Sequence, residues 1–186
     1  AMVEASGGAT FDNVNPATEQ VMGVVANGTR EDMERAVAAA RRAFDTTTWS
    51  TDKELRKRCI LQLQAALEGE REELRAELVA EVGCPVLITY GPQLDAPLAE
   101  ALTWPAEMID RFEWVRSLGP KDPFGIGMNE REVWKEPVGV VGVIVPWNFP
   151  IEIILNKLGP ILAMGNTCVL KPAPDTPWNA TRIGRL

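Results

Sequence analysis

Apolar and polar positions divide the chain into an opening pair of extended stretches, a helical middle and a closing run of apolar strands. Thr10–Val14 and Val21–Ala26 are short extended runs and predict two strands, with Asn15-Pro16-Ala17-Thr18 as the turn between them. Helical spacing then takes over. Met33, Ala36, Val37, Ala40 and Phe44 share one face of a helix over Thr29–Phe44. Thr29 is its N-cap, and Asp32 stands where a capping-box acid belongs. A second helix is predicted from Asp52 to about Leu67, with Leu55, Cys59, Leu63 and Ala66 on its inward stripe. A third covers Arg71–Val82, with Leu74, Leu78 and Val82 inward, its glutamates on a solvated face and Gly83 as its stop. Leu94–Val115 reads as a longer helix that Pro105 kinks or divides. Trp104, Ile109, Phe112 and Trp114 give it large apolar surface, expected to pack on the sheet or a neighbouring subunit. Gly119–Gly127 is a loop. Its Phe124-Gly125-Ile126-Gly127 offers a G-x-G with no third glycine and no preceding strand, so it fails as a dinucleotide fingerprint. Glu130–Lys135 alternates and predicts a strand.

The run from Val138 to Val145 is apolar and β-branched and is closed by Pro146, the pattern of a strand buried on both faces. Pro146-Trp147-Asn148-Phe149-Pro150 follows. Each proline fixes its own φ and restricts the residue before it, so Asn148 sits on a stiff turn at the carboxyl end of a strand. Open α/β sheets bind ligands at that edge. A helix is expected from Ile151 to about Met164, stopped by Gly165-Asn166. Thr167–Leu170 then predicts a second buried strand that ends in Lys171-Pro172-Ala173-Pro174, and Thr176 and Pro177 are the expected N-cap and first residue of a last helix. This βαβα order implies an α/β fold with parallel strands and a right-handed crossover. On the residues alone, Asn148 is either a donor to a developing oxyanion or the cap of the next helix. Lys171 is either a cation at the ligand edge or a surface lysine. Cys59 and Cys168 fall on apolar elements and read as packing.

Composition narrows the partners. The 186 residues carry a net charge of −7 with a pI near 4.8, which argues against nucleic-acid and anionic-membrane partners. No stretch resembles a signal peptide, and the longest apolar run is broken by Pro146, Asn148 and Pro150 before it could span a bilayer. The 3 scattered cysteines favour a reducing, cytoplasmic compartment over a disulfide framework. Histidine is absent, which removes Ser-His-Asp and Cys-His catalysis within these residues and most zinc sites.

EPVGVVGVIVPWNFP followed by LGPILAMGNTCVLKPA resembles the nicotinamide-binding half of the aldehyde dehydrogenase superfamily. The resemblance extends back to Asn15-Pro16-Ala17-Thr18, the Ala36–Phe44 helix and Trp49-Ser50. It implies an incomplete Rossmann-like nicotinamide-binding domain. Residues 1–117 would be its N-terminal strands and helices, 118–137 a β-hairpin oligomerisation arm, and 138–186 the first βαβα part of the sheet. It implies oxidation of an aldehyde to a carboxylic acid with NAD or NADP, in a homodimer or homotetramer. Asn148 would be the oxyanion donor, and Ile144, Val145, Pro146, Trp147, Asn148, Lys171, Ala173 and Pro174 would contact the cofactor. Lys171 would hydrogen-bond the adenosine ribose. Pro174 stands where many NAD-preferring members carry a glutamate, which leaves both cofactors open. The family's nucleophilic cysteine, glutamate base and Gly-Ser motif are expected beyond Leu186, so the chain reads as an amino-terminal piece. The rival is a non-catalytic nucleotide-binding or interaction module.

Overall fold

The computed structural model describes residues 2–186. β1 (Thr10–Val14) and β2 (Val21–Ala26) pair antiparallel, with a register shift at Asn13/Val14. The side chain of Asn15 closes the turn by accepting from the amides of Ala17 and Thr18 at 2.9 and 3.2 Å. α1 (Arg30–Thr46) has the expected capping box: the Asp32 amide donates to the Thr29 hydroxyl, and the Thr29 amide donates to the Asp32 carboxylate. The Thr29 amide first, then the Arg35 guanidinium, the Ser6 amide and the Thr29 hydroxyl, hold the Asp32 carboxyl well below the usual carboxylate range.

α2 (Lys53–Gly69) and α3 (Arg71–Val82) follow, and each departs from its simple stripe. The buried face of α2 is Arg56, Ile60, Gln64 and Leu67, about one position round from the predicted stripe, and Cys59 is only half-buried. The reason is a buried cation. Arg56 is 1% exposed; its Nε donates to the carbonyl of Ala163 at 3.1 Å, and its Nη1 to those of Trp49 and Ser50. On α3, Leu74 and Leu78 are inward and Gly83 closes the helix at φ 69°. Arg75 and Glu81, however, are buried and are no part of a solvated face.

The predicted Leu94–Val115 helix is two short helices that run on into a strand, and a single-turn helix precedes them. α4 (Val86–Thr89) is one turn; α5 (Asp95–Glu100) and α6 (Thr103–Arg111) are separated at Ala101–Leu102, with Pro105 in the first turn of α6, where a missing N–H does least harm. Val115 is already in a strand, because β3 (Val115–Ser117) pairs antiparallel with β4 (Glu132–Trp134). The intervening loop keeps a single bridge between Lys121 and Asn129. Trp114 packs on the core. Its indole donates to the carbonyl of Ile109 at 2.9 Å, and Phe112 meets it edge-on at 4.9 Å.

β5 (Val140–Ile144) and β6 (Thr167–Lys171) pair in parallel across α7 (Pro150–Ala163), and α8 (Pro177–Arg185) follows. Val143 and Val145 point into a core that includes Ile151, Ile154, Leu155 and Leu158 of α7 and Ile183 of α8. The other face of β5 is open at its carboxyl end, where Ile144 is 82% exposed. The expected two-sided burial is therefore partial: α7 packs one face along its length, while α1 reaches only the Val140/Thr167 end of the other, where the Thr167 hydroxyl donates to the Ala40 carbonyl at 3.0 Å. α7 lies so close to the α5–α6 junction that a Cβ on Gly159 would sit 2.3 Å from the Ala101 carbonyl.

The N-terminus of α8 also differs from expectation. Thr176 occupies the N-cap position, but its side chain makes no capping bond. The buried carboxylate of Glu81 does the capping from α3. It accepts from the amides of Trp178 and Asn179 at 2.7 and 3.2 Å, and from the side-chain amides of Asn179 and Asn13. Burial pushes the Glu81 carboxyl up, and the four donors pull it back.

Candidate functional site

The site is built where β5 turns into α7. Phe149, at φ −137° and ψ 61°, is the N-cap residue of α7, and no side chain caps that helix. Asn148 is therefore not its cap. Its exposed side-chain amide makes no hydrogen bond among the described residues, while its main-chain carbonyl accepts from Gln93 Nε2 at 2.8 Å. Asn148 lines a groove of about 710 Å³ with Phe149, Glu152 and Asn156 on one wall and Glu100 and Trp104 on the other. The Asn156 side chain donates to Glu152 Oε1 at 2.7 Å. No Lys or Arg lines this groove.

The open face of the sheet lies around the corner. Ile144 and Lys171 are register partners, and partners in a parallel pair point to the same face. Nothing lies within 4 Å of where a Cβ on Gly142 would stand, so the face is open there, beyond the end that α1 covers. The Lys171 ammonium is exposed and donates to the Pro172 carbonyl at 2.9 Å. Trp147 and Pro174 line a second cavity, of about 480 Å³, with Asp12, Val14, Asp175 and Thr176. Val145 and Ala173 differ from the rest. Their side chains are buried, at 4% and 8% exposure, so they could meet a ligand only through the main chain. The sequence-predicted residues thus fall into three groups: Ile144 with Lys171, Trp147 with Pro174, and Asn148 alone in the larger groove, with Pro146 exposed on the turn between them.

The chemistry open to this arrangement is limited by what lies near it. None of Cys59, Cys84 and Cys168 lines the Asn148 groove. Burial pushes the Cys84 and Cys168 thiols up, away from the thiolate a nucleophile needs. An unbonded amide on a stiff turn can donate to an oxygen that gains charge. Glu152 in the groove and the buried Gln93 behind Asn148 escaped sequence reasoning. Glu152 reads as an ordinary first-turn acid. Gln93, between Pro92 and Leu94 in a turn, carries no periodic or motif signal.

Comparison with known proteins bears on this geometry. The chain is 38% identical over 184 residues to the aminoacetaldehyde dehydrogenase of Pseudomonas aeruginosa, which covers 98% of this chain and 36% of that protein. It is 35% identical over 179 residues to the NADP/NAD-dependent aldehyde dehydrogenase PuuC of Escherichia coli, 95% of this chain and 34% of that one. An aldehyde dehydrogenase from Bacillus cereus superposes with a TM-score of 0.90 at 34% identity, over 100% of this chain and 36% of that structure. A betaine aldehyde dehydrogenase from Staphylococcus aureus, solved with NAD+, gives 0.87 at 31% identity, again over 100% and 36%. The chain spans about a third of the length of the relatives it matches (36% and 34% of the two named). The superpositions identify the α/β architecture as the corresponding part of the aldehyde dehydrogenase fold. The aldehyde dehydrogenase family model matches residues 2–186, and the chain belongs to that family.

Proposed function

We propose that these residues supply the oxyanion donor and part of the cofactor surface of an enzyme that oxidises an aldehyde to a carboxylic acid with NAD or NADP. The observation that carries this reading is the Asn148 amide: unbonded, held between two prolines at the carboxyl end of β5, and facing a groove of about 710 Å³. When a nucleophile adds to an aldehyde carbonyl, the oxygen gains a full negative charge. Asn148 Nδ2 is a fixed donor for that oxygen, and it needs no reorganisation as the charge develops. The nucleophile comes from elsewhere in the enzyme, since no cysteine lines the groove.

The open face of β5–β6 fits a nicotinamide dinucleotide. Gly142 leaves room for close approach, Ile144 offers a flat apolar surface, and the Lys171 ammonium can donate to ribose hydroxyls. When bound, the nicotinamide supplies the oxidant by accepting hydride from the substrate carbon. Pro174 offers neither an acceptor for a 2′-hydroxyl nor a charge against a 2′-phosphate, which suits both cofactors. The β3–β4 hairpin serves as the arm that joins subunits into a dimer or tetramer. The scattered, unpaired cysteines suit a reducing compartment such as the cytoplasm. The carboxylates of Glu100 and Glu152, unopposed by a cation in the groove, favour an aldehyde with a cationic or hydrogen-donating tail.

The test is the complete enzyme assayed with a panel of aldehydes and each cofactor. Asn148→Ala should lower kcat by roughly 10²–10³-fold and leave cofactor affinity unchanged. A parent enzyme that binds cofactor but oxidises no aldehyde would favour the second reading, a non-catalytic nucleotide-binding module. That reading draws on the lack of a nucleophile in the groove.

A further inference from the structure

Gln93 is 3% exposed, and its side chain is poorly served where it lies. Its Nε2 donates to the Asn148 carbonyl at 2.8 Å, whereas its Oε1 is buried without a partner. The orientation of the amide follows from this contact, because a carbonyl accepts only from the NH₂ end. A buried amide with one end unpaired destabilises the fold relative to an apolar side chain of similar size. The one bond it makes is to the residue whose own side chain is otherwise untethered. The Asn148 side chain has no partner among the described residues, so its direction is set by the main chain alone. Pro146 and Pro150 restrict that main chain from either side. The peptide between Asn148 and Phe149 makes no main-chain hydrogen bond among the described residues, and Gln93 is what holds it.

We infer that Gln93 is a positioning residue that aims the Asn148 amide by holding its carbonyl. The inference rests on the oxyanion-donor reading above. Removing the clamp lets the 148–149 peptide rock, and the donor loses alignment with the oxygen it serves.

A double-mutant cycle in the complete enzyme decides it. Gln93→Leu should lower kcat about tenfold, with KM, cofactor affinity and thermal midpoint little changed. In an Asn148→Ala background the same substitution should cost less than about twofold, because nothing is left to aim. Gln93→Glu adds a pH signature. A carboxylate cannot donate to a carbonyl but a carboxylic acid can, so activity relative to the parent should recover as pH falls. If Gln93→Leu does not fold, Gln93→Asn, one methylene too short to reach, takes its place in the cycle. Equal losses in both backgrounds, in an active parent, would overturn the inference alone. A parent inactive on every aldehyde would overturn the functional reading and this inference with it.

Discussion

At the scale of single residues, the site depends on side chains whose surroundings set their roles. Lys171 and Ile144 share an open face because the parallel register pairs them. Lys171→Ala is expected to weaken binding of NAD and NADP, about fivefold or more, read by tryptophan fluorescence titration with Trp147→Phe as control. Pro174→Glu should shift kcat/KM towards NAD by roughly tenfold, since a carboxylate accepts from the 2′-hydroxyl and repels a 2′-phosphate. In the groove, Glu152 should favour an amino-bearing aldehyde over a carboxylate-bearing isostere. Glu152→Gln should shrink that preference about five- to tenfold, with little change for a neutral substrate. An enzyme that treats the charged pair alike before and after the substitution would remove Glu152 from specificity. Much of this group was legible in the chain: Asn148 from its flanking prolines, Lys171 from its place after an apolar strand. Gln93 was not, because its partner is 55 residues away in sequence.

At the scale of elements, the fold rests on contacts between helix ends and distant side chains. Glu81 caps α8 from α3, so Glu81→Ala leaves two side-chain amides and two backbone N–H groups without their acceptor. Loss of about 3 kcal/mol or more is expected, measured by denaturant unfolding of the complete enzyme. Gly159→Ala should destabilise by roughly 1–3 kcal/mol, because the Ala101 carbonyl occupies the space of the new methyl and backbone must shift. A second link between α3 and α8 responds to pH. Arg182 and then Arg185 hold the Glu70 carboxyl below its ordinary value of 4.5, against partial burial. A lowered folded pKa means stability that is present above the ordinary value and is lost as pH falls through the folded one. Thermal stability should therefore decline below about pH 4.5, and Glu70→Gln should remove part of that slope. An unchanged slope would assign the acid sensitivity elsewhere. The boundaries of α1, α2, α3 and α7 followed from caps and spacing, whereas the Leu94–Val115 stretch broke into two helices and a strand. The inward face of α2 did not follow from spacing, since an arginine at its centre reads as solvent-facing until its three carbonyl partners are known.

At the scale of the molecule, residues 2–186 leave large apolar side chains uncovered. Val138 and Ile144 beside the sheet are 84% and 82% exposed, and Phe124 and Ile126 on the hairpin loop are 79% and 84% exposed. An open strand edge next to such surface promotes association. Residues 1–186 expressed alone are expected to aggregate or self-associate, by light scattering and sedimentation. A monodisperse monomer with a sharp, cooperative melt would contradict this. The loop of the β3–β4 hairpin carries apolar side chains left exposed among the described residues, in keeping with the subunit contact proposed for it.

The sequence by itself determined most of the local elements and the placing of Asn148 and Lys171 at the strand ends. Short-range rules govern both: capping at Thr29 and Gly83, proline stiffening around Asn148, and β-branched runs at Val140–Ile144 and Thr167–Leu170. Only the tertiary structure decided which faces are covered and which polar groups are buried. Coverage depends on where α1, α7 and α8 come to rest, and burial of Arg56, Glu81 and Gln93 depends on partners supplied from distant parts of the chain. A charged or amide side chain is paired, and so tolerated inside, only once that distant chain has arrived.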